Sequence, residues 1–79
     1  MKCNVLYFGM IAETVQKNNE ELIFENEVSI TQLKDSLKEK YSALQKMSFQ
    51  IALNQKIVPE ETIIENHNEI AILPPFAGG

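Results

Sequence analysis

Residues 28–44 read VSITQLKDSLKEKYSAL, and this stretch decides the architecture. Ile30, Leu33, Leu37, Tyr41 and Leu44 recur at spacings of three and four, which sets them in one apolar stripe on a helix. Ser29 stands where an N-cap is needed, and Gln32 follows three residues later to complete a capping box. Val28 and Leu33 occupy the two positions of a hydrophobic staple. Lys34, Lys38 and Lys40 with Asp35 and Glu39 supply the solvated side. The helix is amphipathic and packs on one side only.

On either side of it the hydrophobic period is two. Upstream, Cys3, Val5 and Tyr7 alternate with Asn4, Leu6 and Phe8, and both faces become apolar toward Phe8, as in a strand ending in the middle of a sheet. Gly9 interrupts this strand, and Met10 to Gln16 reads as one helical turn or a loop. Lys17-Asn18-Asn19 is a turn cluster, and Glu20 to Glu25 is a second strand with Leu22 and Phe24 inward. Downstream, Phe49, Ile51 and Leu53 face one way, and Asn54-Gln55 is a turn pair because Asn tolerates positive φ. Lys56 to Val58 returns as a short strand that Pro59 stops. Glu60 to Asn68 is a polar connection with Ile63 and Ile64 tucked beneath it, and Glu69 to Leu73 is the last strand. The order β-β-α-β-β-β implies a two-layer α+β domain in which one main helix covers a mixed sheet of four to five strands. It is the order of the β-grasp (ubiquitin-like) fold, whose first and last long strands run parallel at the centre; order alone also admits a ferredoxin-like domain, but that fold wants a second helix, which this reading does not give. Residues 1–73 are expected to form this domain and residues 74–79 an extended, flexible tail.

At 79 residues the chain allows one small domain with a modest core. Seven Lys and no Arg stand against ten Glu and one Asp, for a formal charge of −4. That balance argues against nucleic acid, which needs clustered cations. One cysteine makes no internal disulfide, no apolar run approaches a membrane span, and no signal peptide opens the chain, so a cytoplasmic location is expected.

Few side chains invite chemistry. Cys3 is early in a strand with nothing nearby to lower its pKa, and reads as a small core residue. His67 has no second His or Cys with which to hold a metal, and no triad partners. Ser29 is a cap. Glu20-Glu21 and Glu60-Glu61 read as solvated turn charges, since neighbours on an extended chain point to opposite faces. There is no phosphate loop or glycine fingerprint. The domain is therefore expected to bind no metal or cofactor and to have no active site of its own.

The C-terminus differs. Two of the three glycines are the last two residues, and folding rarely needs backbone permissiveness there. A frayed end is the plain alternative. Pro74-Pro75 stiffens the exit from the sheet, which limits the entropy lost on docking. Phe76 is an aromatic suited to a partner's pocket, and after Ala77 the residues Gly78 and Gly79 let a narrow channel close around the backbone. The tail is built to deliver the Gly79 carboxylate into another protein's active site.

With these residues in view, the chain resembles the MoaD-type sulfur carriers, the small subunits of molybdopterin synthase. The likeness covers nearly the whole length. It is carried by Ile51-Ala52-Leu53-Asn54-Gln55 and by Glu69-Ile70-Ala71-Ile72-Leu73-Pro74-Pro75-Phe76-Ala77-Gly78-Gly79. The sequence departs at Ala12-Glu13, where the family often has Arg-Glu, and at Asn66-His67-Asn68-Glu69, in place of a Gly-Asp-Glu turn. The resemblance implies that an adenylyltransferase related to ubiquitin-activating enzymes uses ATP to make a Gly79 acyl-adenylate, and that a persulfide donor converts it to a thiocarboxylate. It implies that this group enters the large subunit, which carries the active site, and gives sulfur to cyclic pyranopterin monophosphate to form molybdopterin. A heterotetramer, a dimer of heterodimers, is the implied assembly. Gly79 would be the reacting residue, with Pro74, Pro75, Phe76, Ala77 and Gly78 contacting the partner. Three other readings share the tail: a carrier for thiamine or tRNA thiolation, a ubiquitin-like protein modifier, and a passive interaction module.

Overall fold

The computed structural model describes residues 1–65 and 69–75. In chain order these form β1 (Lys2–Tyr7), α1 (Gly9–Val15), β2 (Asn19–Ile23), β3 (Val28–Ser29), α2 (Ile30–Lys40), a 3-10 turn (Ser42–Lys46), β4 (Gln50–Leu53), β5 (Lys56–Ile57), β6 (Ile63–Ile64) and β7 (Ile70–Leu73). Five strands make one sheet in the order β2-β1-β7-β4-β5. β1 and β7 are parallel at its centre, with Val5 opposite Ile70 and Tyr7 opposite Ile72; the other pairs are antiparallel. This is the expected β-grasp arrangement. No helix among the described residues is long and apolar enough to cross a membrane.

The core forms where the two periods meet. Cys3, Val5 and Tyr7 from β1, Ile70 and Ile72 from β7, and Ile51 and Leu53 from β4 pack with Leu33, Leu37, Ile11 and Val15 of the helices. Cys3 is 1% exposed, and burial pushes its thiol pKa up, which fits the structural reading. The α2 start follows the sequence closely. The Ser29 hydroxyl accepts from the Gln32 N–H at 3.2 Å, and the Gln32 side chain accepts from the Ser29 N–H at 2.8 Å.

Four expectations need correction. The stripe read as one helix through Leu44 breaks after Lys40: Tyr41 is extended (φ −123°, ψ 93°), and Leu44 stays buried by way of the 3-10 turn instead. Met10 to Gln16 belongs to a true second helix, closed by Gln16 at φ 62° with its N–H donating to the Ala12 carbonyl. Ile63-Ile64 is a strand rather than a tucked loop, pairing with β3 to make a separate two-stranded sheet; Ile64 is buried and Ile63 exposed. Finally, Glu20 is no solvated turn charge. Its carboxylate accepts from the hydroxyls of Tyr7 (2.8 Å) and Tyr41 (2.6 Å), and from Lys17 (3.1 Å) and Lys40. Pairing of Glu20 with Val5 turns its side chain to the helix side, where the break at Tyr41 brings the second phenol to it. Glu60 is also engaged, accepting from Lys34 at 3.1 Å, although its side chain is largely exposed.

The turn residues Asn54 and Gln55 take φ 50° and 69°, as a two-residue turn with both central residues left-handed requires. Asn54 also fastens the turn to the start of β7, its N–H donating to the Glu69 carbonyl and its Oδ1 accepting from the Glu69 N–H, each at 2.8 Å.

Candidate functional site: the root of the tail and the open sheet face

Because β7 is central and parallel to β1, the chain leaves the sheet between the end of β1 and the start of β4. The root is tightly seated. The Phe8 N–H donates to the Ile72 carbonyl at 3.1 Å, continuing the ladder past β1. Gly9 then turns with φ +55°, and a Cβ built on it would lie 3.2 Å from Pro74 Cγ. Glycine is favoured there for two reasons, the left-handed backbone and the approach of the proline ring. On the other side Gln50 faces Leu73 across the ladder, and its Oε1 is buried without a hydrogen-bond partner among the described residues. Beside it a groove of about 390 Å³ runs between the start of α2 and residues 57–60, reaching Pro75.

The sheet face opposite the helices is apolar near this root. Cross-strand partners share a face, so Leu6, Ala71, Ala52 and Ile57 form one row over β1, β7, β4 and β5. Leu73 lies one step nearer the tail. Phe8 and Met10, 45% and 62% exposed, stand at the end of β1, and Ile57 is 53% exposed. Exposed Phe8 and Met10 at one end of this row and Ile57 at the other flank half-buried Leu6, Ala71 and Leu73 and buried Ala52, and large apolar side chains exposed on a small domain mark a contact surface.

Of the residues singled out for the tail, Pro74 is half-buried against Gly9 and Pro75 is exposed. Phe76, Ala77, Gly78 and Gly79 lie outside the described residues, as does His67. The sequence implies an apolar rim around the last strand but does not name the row that forms it. Its signal was present, since Leu6, Ala71 and Leu73 alternate out of phase with the core set. A central position alone explains apolarity on both sides of β1 in the sequence, whereas in the structure half of it faces away from the helices. In the sequence Gly9 is only an interruption; in the structure it seats Pro74.

Replacing Gly9 by Ala is expected to cost roughly 1–2 kcal/mol, the left-handed penalty for a residue bearing Cβ. Gly9→Asn should recover part of it, since Asn adopts that region more readily. Urea unfolding of both variants checks this; equal stability of Gly9→Ala and the parent would contradict the seating described.

Residues 5–79 match the ThiS family. The molybdopterin synthase sulfur carrier subunit of Mycobacterium tuberculosis is 37% identical over 82 residues, covering 100% of this chain and 99% of that one. Among solved structures, a putative molybdopterin converting factor subunit 1 from Pyrococcus furiosus superposes with a TM-score of 0.88 over 96% of this chain and 99% of its own, at 16% identity, a likeness of fold. A chain from the protein–protein complex of subunits 1 and 2 of the molybdopterin-converting factor of Helicobacter pylori is 25% identical, with a TM-score of 0.68 and full coverage of both chains. With a parallel β1–β7 centre, a Pro-Pro exit beside an open apolar face and a match from residue 5 to the final glycine, this chain is a β-grasp member of the ThiS family.

Proposed function

We propose that this chain is the sulfur carrier subunit of a molybdopterin synthase, and that Gly79 carries the sulfur as a C-terminal thiocarboxylate. The observation that carries the reading is the geometry of the tail root. The last central strand hands the chain to Pro74-Pro75 beside an apolar face that the domain leaves open, so one partner can cover the face and receive the tail together. The name of the Mycobacterium tuberculosis relative supports it, and so does the two-subunit complex of the Helicobacter pylori protein.

The chemistry follows from a bare carboxylate. A carboxylate is a poor acyl donor, so an adenylyltransferase first joins it to the α-phosphate of ATP, with loss of pyrophosphate. The terminal sulfur of a persulfide then attacks the acyl carbon and expels AMP. A second thiol cleaves the resulting S–S bond and releases the thiocarboxylate. Phe76 with Pro75 anchors the tail in the large subunit, while Ala77 and Gly78 thread the channel. The large subunit supplies acid, base and phosphate-binding groups; the thiocarboxylate sulfur attacks an electrophilic carbon of the pyranopterin substrate, and water then cleaves the acyl–sulfur bond, leaving the sulfur on the substrate and returning the Gly79 carboxylate. This chain itself contributes position: a rigid root and a narrow tip.

The test is direct. The protein is incubated with an adenylyltransferase, ATP and a persulfide source, then cleaved after lysine. Lys56 is the last lysine, so the fragment from Ile57 to Gly79 contains the terminus and neither Met nor Cys. Exchange of one oxygen for sulfur in that fragment is expected, trapped by a thiocarboxylate-specific reagent. An unchanged fragment, with a known carrier charged in the same mixture, overturns the reading; a branched peptide to lysine would indicate a modifier instead.

A further inference from the structure

One edge of the main sheet is open in a way that the tail chemistry does not use. β2 is the outer strand beside β1, and among the described residues no strand pairs with its far side. The ladder phase is set by its ends: Met1 and Phe24 exchange both backbone hydrogen bonds, and the Tyr7 N–H donates to the Asn18 carbonyl. In an antiparallel pair bonded and non-bonded residues alternate. Leu22 and Glu20 therefore point their backbone groups at β1, while Asn19, Glu21 and Ile23 point theirs outward. The same three side chains lie on the sheet face away from the helices, since Ile23 pairs with Lys2 and Glu21 with Asn4. Glu21 is exposed and Ile23 is 71% exposed. Along the helix side of this edge runs a groove of about 360 Å³, lined by residues 21–24 of the strand edge and by Ser36, Leu37 and Lys40.

We propose that the β2 edge receives an extended segment of a partner protein as an added strand, with the pattern apolar–basic–apolar. The pattern follows from the geometry. The incoming residue opposite Glu21 places its side chain on the outer face beside that carboxylate, where Lys or Arg pairs with it. Its two neighbours point to the other face, into the groove, where Leu22, Phe24 and Leu37 favour aliphatic side chains. Charge selects the basic residue. Glu21 is followed by exposed Glu25 and Glu27, and the chain carries −4 overall, while Lys40 is already held by Glu20. The same charge disfavours a second copy as occupant. Antiparallel self-pairing centred on β2 sets Glu21 against Glu21, and like charges directly opposite destabilise a sheet. The edge lies two strands away from β7, so such a partner leaves the tail and the open face free.

The probe is the peptide acetyl-Thr-Val-Arg-Val-Thr-amide, titrated into the full chain labelled with nitrogen-15, with a Glu-for-Arg peptide as control. Saturable amide shifts confined to residues 19–24 and 36–40 are expected, with gained exchange protection at the outward amides of Glu21 and Ile23. Ile23→Pro deletes one outward N–H and leaves the β1 ladder intact, because that N–H takes no part in it. It should weaken binding roughly tenfold, the worth of about one hydrogen bond. Glu21→Lys should reverse the preference so that the control peptide binds more tightly. No shift up to millimolar peptide overturns the proposal. So do shifts centred on Leu6, Ala71 and Ile57, unchanged affinity in Ile23→Pro, or the same edge amides moving with protein concentration alone, which would assign the edge to a second copy.

Discussion

A chain lacking only Gly79 is expected to fold like the parent and to transfer no sulfur. Each extended residue spans roughly 3.5 Å, so the deletion withdraws the reacting carboxylate by that distance. A misplacement of about 1 Å already costs on the order of 100-fold in rate, so residual turnover should fall below detection. Adding one residue after Gly79 is equally damaging, because it moves the carboxylate past the position where the partner holds it. The core assembles from residues 3–72, well before the tail, so thermal unfolding should be unchanged in both variants. Sulfur transfer in a reconstituted system, alongside a melting curve, reads both halves. Transfer by the shortened chain at more than a few per cent of the parent rate would sink the assignment of Gly79.

Glu20→Ala is expected to give the largest loss of stability among surface-directed changes. Removing the carboxylate strands the hydroxyls of Tyr7 and Tyr41 and frees two ammonium groups, Lys17 and Lys40. Unpaired polar groups at a partly buried site cost about 1–3 kcal/mol each, so a total of roughly 3 kcal/mol is expected. In a domain of this size that lowers Tm by roughly 12–24 °C. Tyr7 and Tyr41 also meet edge to face, 6.4 Å between centroids and 85° between planes, so loosening one ring loosens the other.

The same carboxylate sets a pH dependence. Burial on its own would raise the Glu20 pKa, but hydrogen bonds from Lys40, Tyr41, Tyr7 and Lys17 outweigh it and hold it at about 2, against an ordinary 4.5. A depressed folded pKa means that the unfolded chain binds the proton first. The contribution of Glu20 is therefore full above pH 4.5 and is lost as pH falls toward 2. The stability difference between the parent and Glu20→Gln should shrink across that window, read by urea unfolding at several pH values. Tyr7 acts at the other end. Burial first, then the Glu20 carboxylate, push its hydroxyl pKa up from 10, so stability falls as pH rises above 10. A difference between the parent and Glu20→Gln that stays constant from pH 5 down to 2 would mean that these hydrogen bonds do not depress the Glu20 pKa.

Much of the fold is legible in the residues because it depends on neighbours in the chain. The capping box of Ser29 and Gln32, the staple residues around it and the paired turn at Asn54-Gln55 are local arrangements, and the periods of two and 3.6 separate strand from helix without knowledge of what they pack on. The chemistry proposed for the tail is of the same kind, since Pro-Pro stiffness and Gly-Gly narrowness belong to those residues wherever they are placed.

What only the tertiary structure decided lies at long separations in sequence. Glu20 looks solvated because its partners Tyr7, Lys40 and Tyr41 stand 13, 20 and 21 residues away; register with Val5 and a helix that breaks at Tyr41 bring them together. Ile64 looks like loop filling until β6 meets β3, and Gly9 looks like a pause until Pro74 comes within 3.2 Å of where its Cβ would stand. Alternation shows that a strand has two faces, but not which apolar face the helices cover. Register and layer order settle that, and they leave Phe8 and Ile57 exposed and Leu6 and Leu73 half-buried on the face beside the root of the tail.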